Sequence, residues 1–192
     1  NKTLMIEVTG AQIKEALDSL YEIYGNRSSM ARKFGLKISH SGNVLQHARN
    51  ASGIYFPYYH AIGVTAKYGD KGFGFTLAHE WAHFMDNYLG SIGDRHTYAS
   101  DDWASLPGSF ARAFRENMDR PQNSDYQNRT CECFARALEQ YFATKTETVE
   151  DYQKEWNGAG NHPRQAVFTE KVQPLIERFF KENDEMLKAV QW

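Results

Sequence analysis

His79 and His83 stand four residues apart, with Glu80 directly after the first, in the stretch FTLAHEWAHFMDNYLG (75–90). On an α-helix, side chains at i and i+4 share a face, so both imidazoles can address one point while the carboxylate sits one step round. Zinc takes neutral imidazole nitrogens and a carboxylate, and a catalytic site uses three protein ligands with a fourth position left for water. The HExxH pattern supplies two of those ligands. It also supplies a glutamate able to take a proton from the water that the metal acidifies. By chance a chain of this length shows the pattern about once in a hundred sequences.

The third ligand decides the subclass. An elongated HExxHxxGxxH motif needs glycine at 86 and histidine at 89, but the chain carries Asp86 and Leu89, so that class is excluded. The remaining candidates are Asp86, His96, Glu132 and Glu139, with Cys131 and Cys133 as thiols beside the third of these. Asp86 lies one turn beyond His83, too far along the axis for a tetrahedron, and suits a hydrogen bond to a ligand histidine or a salt bridge. His96 falls in a polar loop and reads as a surface histidine. Glu132 is favoured because it opens a later helix whose apolar stripe can pack beside the metal helix. Glu139, two turns on, pairs with Arg136 or orients the site from behind.

The elements that must position these residues follow from periodicity. AQIKEALDSLYEIY (11–24) reads as an amphipathic helix ended by Gly25, and a short helix is expected from Ser28 or Ser29 to Gly35. GIYFPYYHAIGVTAK (53–67), aromatic and β-branched but broken by Pro57, suits two short strands or an edge strand. A loop YGDKGFG (68–74) then leads into the HExxH helix, which is expected to run to Leu89 with Gly90 as its left-handed terminus. Residues 91–108 read as a surface loop, 109–118 as a short helix, and RPQNSDYQNRT (120–130) as turns. In 131–145, Cys131, Phe134, Leu138, Tyr141 and Phe142 form an apolar stripe. A loop NGAGNHP (157–163) precedes further helix from about Gln165, punctuated by Pro174.

The fold class expected is α+β, mainly helical, with a small antiparallel sheet beside the HExxH helix. One domain is expected over 1–192, comprising a helical part (1–50), a core (51–143) and a C-terminal helical part (144–192). The chain starts at Asn1 and is expected to be a fragment of a larger protein. With 22 basic and 24 acidic residues, no strong nucleic-acid binding is expected. No run of 18 apolar residues suggests a membrane span. Cys131 and Cys133 are too close to bridge easily, which favours a reducing, cytoplasmic setting.

AHEWAHFMDNYLG (78–90) together with ECFARALEQY (132–141) resembles the zincin-like metallopeptidase domains of the large polyvalent proteins of phages and conjugative elements. Their signature is HEWxHxxD followed by E-x-x-A-R-A-x-E, and the strand GIYFPYYHAIGVT (53–65) also fits. More distantly, the pattern is similar to the catalytic domain of anthrax lethal factor. The resemblance spans about Gly53 to Tyr141. It implies a zincin-like fold, Zn2+ held by His79, His83 and Glu132, and Glu80 as general base. It further implies peptide-bond hydrolysis of a peptide or protein substrate lying along an edge strand near 61–66, in a phage-encoded protein made in or delivered to the host cell. In the lethal-factor pattern a tyrosine before the third ligand stabilises the oxyanion. Tyr126 stands one residue off that spacing, and His60 and His96 are alternative donors. A competing expectation is a zinc-containing domain that binds a partner without turnover; the presence of Glu80, which metal binding does not require, speaks against it.

Overall fold

The computed structural model describes residues 10–24, 37–39, 53–57, 61–64, 69–91, 98–120, 122–156 and 160–188. The short helix expected before Gly35 lies outside these residues, as do His60 and His96. The described elements are α1 (Gly10–Tyr24), β1 (Lys37–Ser39), β2 (Gly53–Phe56), β3 (Ala61–Val64), α2 (Gly69–Ser91), α3 (Leu106–Glu116), α4 (Asp125–Asn128), α5 (Thr130–Lys145), α6 (Val149–Trp156), α7 (Gln165–Lys171) and α8 (Gln173–Lys188). The chain is therefore α+β and mostly helical, with one small sheet.

That sheet is mixed. Its order is β1-β3-β2, with β2 antiparallel and β1 parallel to β3. β3 is thus the central strand, paired on both sides, and is not the edge that the sequence led us to expect. Ile62 and Val64 of β3 are buried, as is Tyr55 of β2, whose ring meets Phe84 of α2 edge-on at 6.0 Å.

The HExxH helix begins earlier than the turn-rich YGDKGFG stretch suggests. Phe73 and Phe75 are buried in its first turns, so their packing in the core outweighs the low helix propensity of the glycines there. The helix continues through Gly90 to Ser91, and among the described glycines only Gly160 has positive φ, so Gly90 is no left-handed terminus.

α2 and α5 form the centre. Leu77, Ala78, Trp81, Ala82, Phe84 and Met85 are all buried on α2, more than one stripe of that helix. On α5 every residue from Glu132 to Ala143 is buried. The single apolar stripe expected of α5 is therefore an underestimate, and Cys133, fully buried, belongs to the core where Cys131 is only half-buried. Such a helix has neighbours all round. α3 covers one side through Phe110, whose ring stacks on Phe134 at 4.8 Å and lies 5.6 Å from Phe179 of α8. α6 closes another through Tyr152, edge-on to Phe75 of α2 at 5.0 Å.

Capping explains where the outer helices start. Ser105 accepts a hydrogen bond from the Gly108 amide at 3.1 Å at the head of α3. Pro174 occupies the second position of α8, where the missing amide hydrogen costs nothing. Among the described residues one buried cluster extends from Ala16 and Leu20 of α1 to Phe179 and Phe180 of α8.

Candidate metal and catalytic site

α2 and α5 cross with their polar residues facing one another, and four of these meet. His79 Nε2 lies 3.3 Å from Glu132 Oε2, and His83 Nε2 lies 3.1 Å from Glu132 Oε1. The two imidazoles stand edge to face, their ring centres 4.8 Å apart. One donor atom from each of His79, His83 and Glu132 falls within 4.8 Å of the others, and this is the potential metal-binding group found among the described residues.

This donor set suits zinc. The chemistry of the donors, two imidazole nitrogens and a carboxylate oxygen, is what carries this fit: the 3.3 Å and 3.1 Å separations run to different oxygens of Glu132, and one donor atom from each residue lies within 4.8 Å of the others, against an edge of about 3.3 Å for tetrahedral bonds of about 2.0–2.1 Å. Three protein ligands leave a fourth position open, as catalytic sites require. His79 Nδ1 meets Glu139 Oε2 at 2.9 Å, which fixes the ring and directs Nε2 at the common point. Glu139 therefore orients His79 and does not pair with Arg136.

Electrostatics reflect the crowding of charge. Burial lowers the proton affinity of His79, but its bonds to Glu132 and Glu139 prevail and hold it well above the usual imidazole range. Burial works to raise Glu132, while hydrogen bonds from His79 and His83 prevail and hold it well below the usual carboxylate range. Glu80, only 6% exposed, is raised chiefly by burial, with the two histidines pulling the other way. The strand β2 passes directly over it. A Cβ on Gly53 would stand 2.8 Å from Glu80 Cγ, 2.9 Å from Glu80 Oε1 and 2.6 Å from Thr76 Cγ2, so only glycine lets the sheet approach the carboxylate this closely.

The other residues singled out from sequence fall as follows. Tyr126, on α4, is hydrogen-bonded to Glu132, and burial raises its phenol above the ordinary value, so it remains a protonated donor at the site. Asp86 makes no bond to a ligand histidine. It is wholly buried and accepts from Ser100 N at 2.8 Å and Ser100 Oγ at 2.6 Å, pinning the turn Ala99–Asp101 against α2. A carboxylate one turn past His83 points off the metal face, toward the loop that needs an anchor. Burial pushes its carboxyl up to about 7, against the hydrogen bonds from Ser100. The thiol of Cys131 is pushed up to about 12, first by burial and then by Glu132, and it is not among the three residues whose donor atoms converge.

Two features escaped sequence reading. Tyr98 lies in the stretch expected to be an irregular loop, yet its ring centre is 6.2 Å from that of His83, and burial raises its phenol to about 12. Arg136 is 5% exposed and donates to Asn161 O at 2.9 Å, to Glu132 O at 3.3 Å and to Gln127 O. It thereby ties the third-ligand turn of α5 to the α4 turn that carries Tyr126. Spacing alone could not show this, because these three acceptors are backbone carbonyls; its Nη2 also lies 3.9 Å from Cys133 Sγ on the same helix.

No family model, no curated protein and no solved structure matches this chain. Among the described residues, no helix is long and apolar enough to cross a membrane.

Proposed function

We propose that this chain is a zinc-dependent peptidase with a zincin-like fold, in which His79, His83 and Glu132 hold the metal and Glu80 is the general base. The observation that carries the reading is the meeting of those three donors within 4.8 Å, backed by Glu139 at 2.9 Å from His79 and flanked by a buried Glu80. An isolated pair of core histidines does not need a carboxylate pointed between them and a second one behind.

A zinc ion bound there supplies Lewis-acid polarisation of a peptide carbonyl and makes a water molecule acidic enough to attack near neutral pH. The rest falls to the chain's own residues. Glu80 accepts a proton at its carboxylate and passes it to the departing amine nitrogen; its burial-raised proton affinity suits both halves of that transfer. Tyr126 at Glu132 and Tyr98 beside His83 are the hydroxyls placed to donate to the developing oxyanion, and both stay protonated at neutral pH. Since β3 is paired on both sides, a peptide adding as a strand takes the other side of β2, whose Gly53 lies against Glu80. By its resemblance to phage and conjugative-element domains, the substrate is a protein met in the host cytoplasm.

The test is metal content by elemental mass spectrometry, run beside cleavage of a peptide pool by the zinc-loaded protein. Native protein and Glu80→Gln are expected to hold about one zinc, with Glu80→Gln losing about 10²–10⁴-fold in cleavage rate. His79→Ala and Glu132→Ala are expected to lose the metal. Native zinc content in both of those variants would sink the site, and full activity in Glu80→Gln would remove Glu80 from the chemistry.

A further inference from the structure

From Glu132 a continuous row of contacts leads outward along one side of the site. Tyr126 bonds Glu132, and the Arg129 guanidinium lies over the Tyr126 ring, 5.6 Å from its centre. The adjacent Asn128 carbonyl accepts from Arg115 Nη1 at 3.5 Å. Arg115 in turn stacks on Trp103 at 4.8 Å, and Arg112, one turn earlier on α3, approaches the same indole at 5.7 Å. Trp103 is 47% and Tyr126 53% exposed, unusual for large aromatic side chains in a chain with so full a core.

Among the described residues, Arg112, Arg115 and Arg129 form no ion pair. Asp101, Asp102, Glu116 and Asp125 are exposed on the same segments, yet among the described residues none lies within 4 Å of Arg112, Arg115 or Arg129. The described ion pairs of arginine are elsewhere, Arg164 with Asp119 and Arg178 with Glu182. A guanidinium lying on an aromatic face is held in place by that face; Arg115 gives Nη1 to the Asn128 carbonyl, while among the described residues Arg112 and Arg129 make no side-chain hydrogen bond, which leaves in-plane N–H groups for bidentate capture of a carboxylate.

We propose that Arg129, Arg115 and Arg112, held by Tyr126 and Trp103, form a subsite for acidic side chains of the peptide substrate, on one side of the scissile bond only. The proposal rests on the peptidase reading of the same site and adds its substrate class. The row begins at the residue that bonds Glu132, so a chain seated at the metal centre and continuing toward α3 passes each guanidinium in turn. The peptidase reading of the adjoining site makes the occupant a peptide, and three guanidinium groups make acidic side chains the ones they would hold.

Two measurements test it. Calorimetric titration of the zinc-loaded Glu80→Gln protein with capped deca-glutamate and deca-glutamine is expected to give at least about tenfold tighter binding of the former. Arg112→Gln with Arg115→Gln should erase that advantage while zinc content stays at one. Arg112 makes no hydrogen bond among the described residues, so Arg112→Gln alone should weaken it if the double variant fails to fold. Equal binding of the two peptides overturns the proposal, and so does tighter binding of a duplex oligonucleotide than of deca-glutamate. In the second measurement the zinc-loaded native protein cleaves a degenerate peptide library read by mass spectrometry, where Asp and Glu should be enriched on one side of the cut. Cleavage without that enrichment overturns the subsite and leaves the peptidase standing. Absence of cleavage with the deca-glutamate preference intact defeats the peptidase reading and leaves the arginine surface standing.

Discussion

Replacing Glu139 separates a site built for metal from two histidines that merely share a core. Glu139 Oε2 is 2.9 Å from His79 Nδ1, its side chain is 4% exposed, and it touches no other candidate ligand. An ionised acceptor makes a hydrogen bond roughly twice as strong as a neutral one, so Glu139→Gln, which keeps shape and an acceptor, forfeits about 1–1.5 kcal/mol of the bond. At about 1.4 kcal/mol per decade, zinc affinity should fall about tenfold. Glu139→Ala removes the acceptor altogether and frees the ring to rotate, and the loss should approach about a hundredfold, the upper end of what an orienting partner contributes. The assay is competition for zinc against a chromophoric chelator, with elemental analysis confirming stoichiometry. A reading in which Glu139 is only a buried counter-charge predicts a changed melting temperature with zinc affinity held within about twofold. That result, seen in both variants, would refute the orienting role.

Three further outcomes follow from particular contacts. Gly53→Ala places a methyl group within 2.9 Å of Glu80 Oε1 and should lower thermal stability by about 1–3 kcal/mol, while turnover falls further than zinc content; unchanged turnover would show that β2 does not set the Glu80 position. Asp86, whose carboxyl is raised to about 7 in the folded chain against about 4 when unfolded, binds a proton preferentially in the folded state between those values. Its contribution is therefore greatest at low pH and declines by at most about 1.4 kcal/mol per unit as pH rises from about 4 to 7; denaturant titrations of chelator-treated protein should show native stability falling relative to Asp86→Asn across that window, and a pH-independent difference would contradict it. Zinc at a hundred times its dissociation constant should stabilise the native chain by about 2.7 kcal/mol and Glu132→Ala by far less, read as a shift in melting temperature; equal shifts would place zinc elsewhere.

The parts of the fold legible in sequence are those whose signal is local. Strands flanking Pro57, the helix of 10–24 and the helix opened by Thr130 each carry their own periodicity, and Gly53–Phe56, Ala61–Val64 and Thr130–Lys145 fall where it puts them. The misread stretches have the opposite character. Gly69–Gly74 looks like a turn because of its glycines, and it is helical where Phe73, followed by Phe75, packs in the core. The segment around Ser100 is polar in sequence, yet Ser100 is fully buried, since its partner is the buried Asp86 fourteen positions earlier. Strand order was equally hidden: nothing in AIGV distinguishes a central strand from an edge until Lys37–Ser39 is known to pair beside it.

For the site, the same division separates identity from arrangement. HExxH names His79, Glu80 and His83 through one helical repeat, and Glu132 follows from the position of the next buried helix. Roles that depend on two helices crossing do not follow from either one. Glu139 could face Arg136 on its own helix or His79 on another, and only the packing of α5 on α2 decides for His79. α5 shows why the question was open. Its polar residues Glu132, Arg136, Glu139 and Gln140 are all buried in the middle of an apolar helix, an arrangement that is tolerable only when each finds partners off the helix. Arg136 finds carbonyls, Gln140 the Pro163 carbonyl and Gln165, and the two glutamates find the histidines of α2. Four buried polar side chains on one helix are costly for a structural core, and of the four Glu132 meets both imidazoles while Glu139 meets that of His79. That convergence is what the proposed metal site asks of the fold.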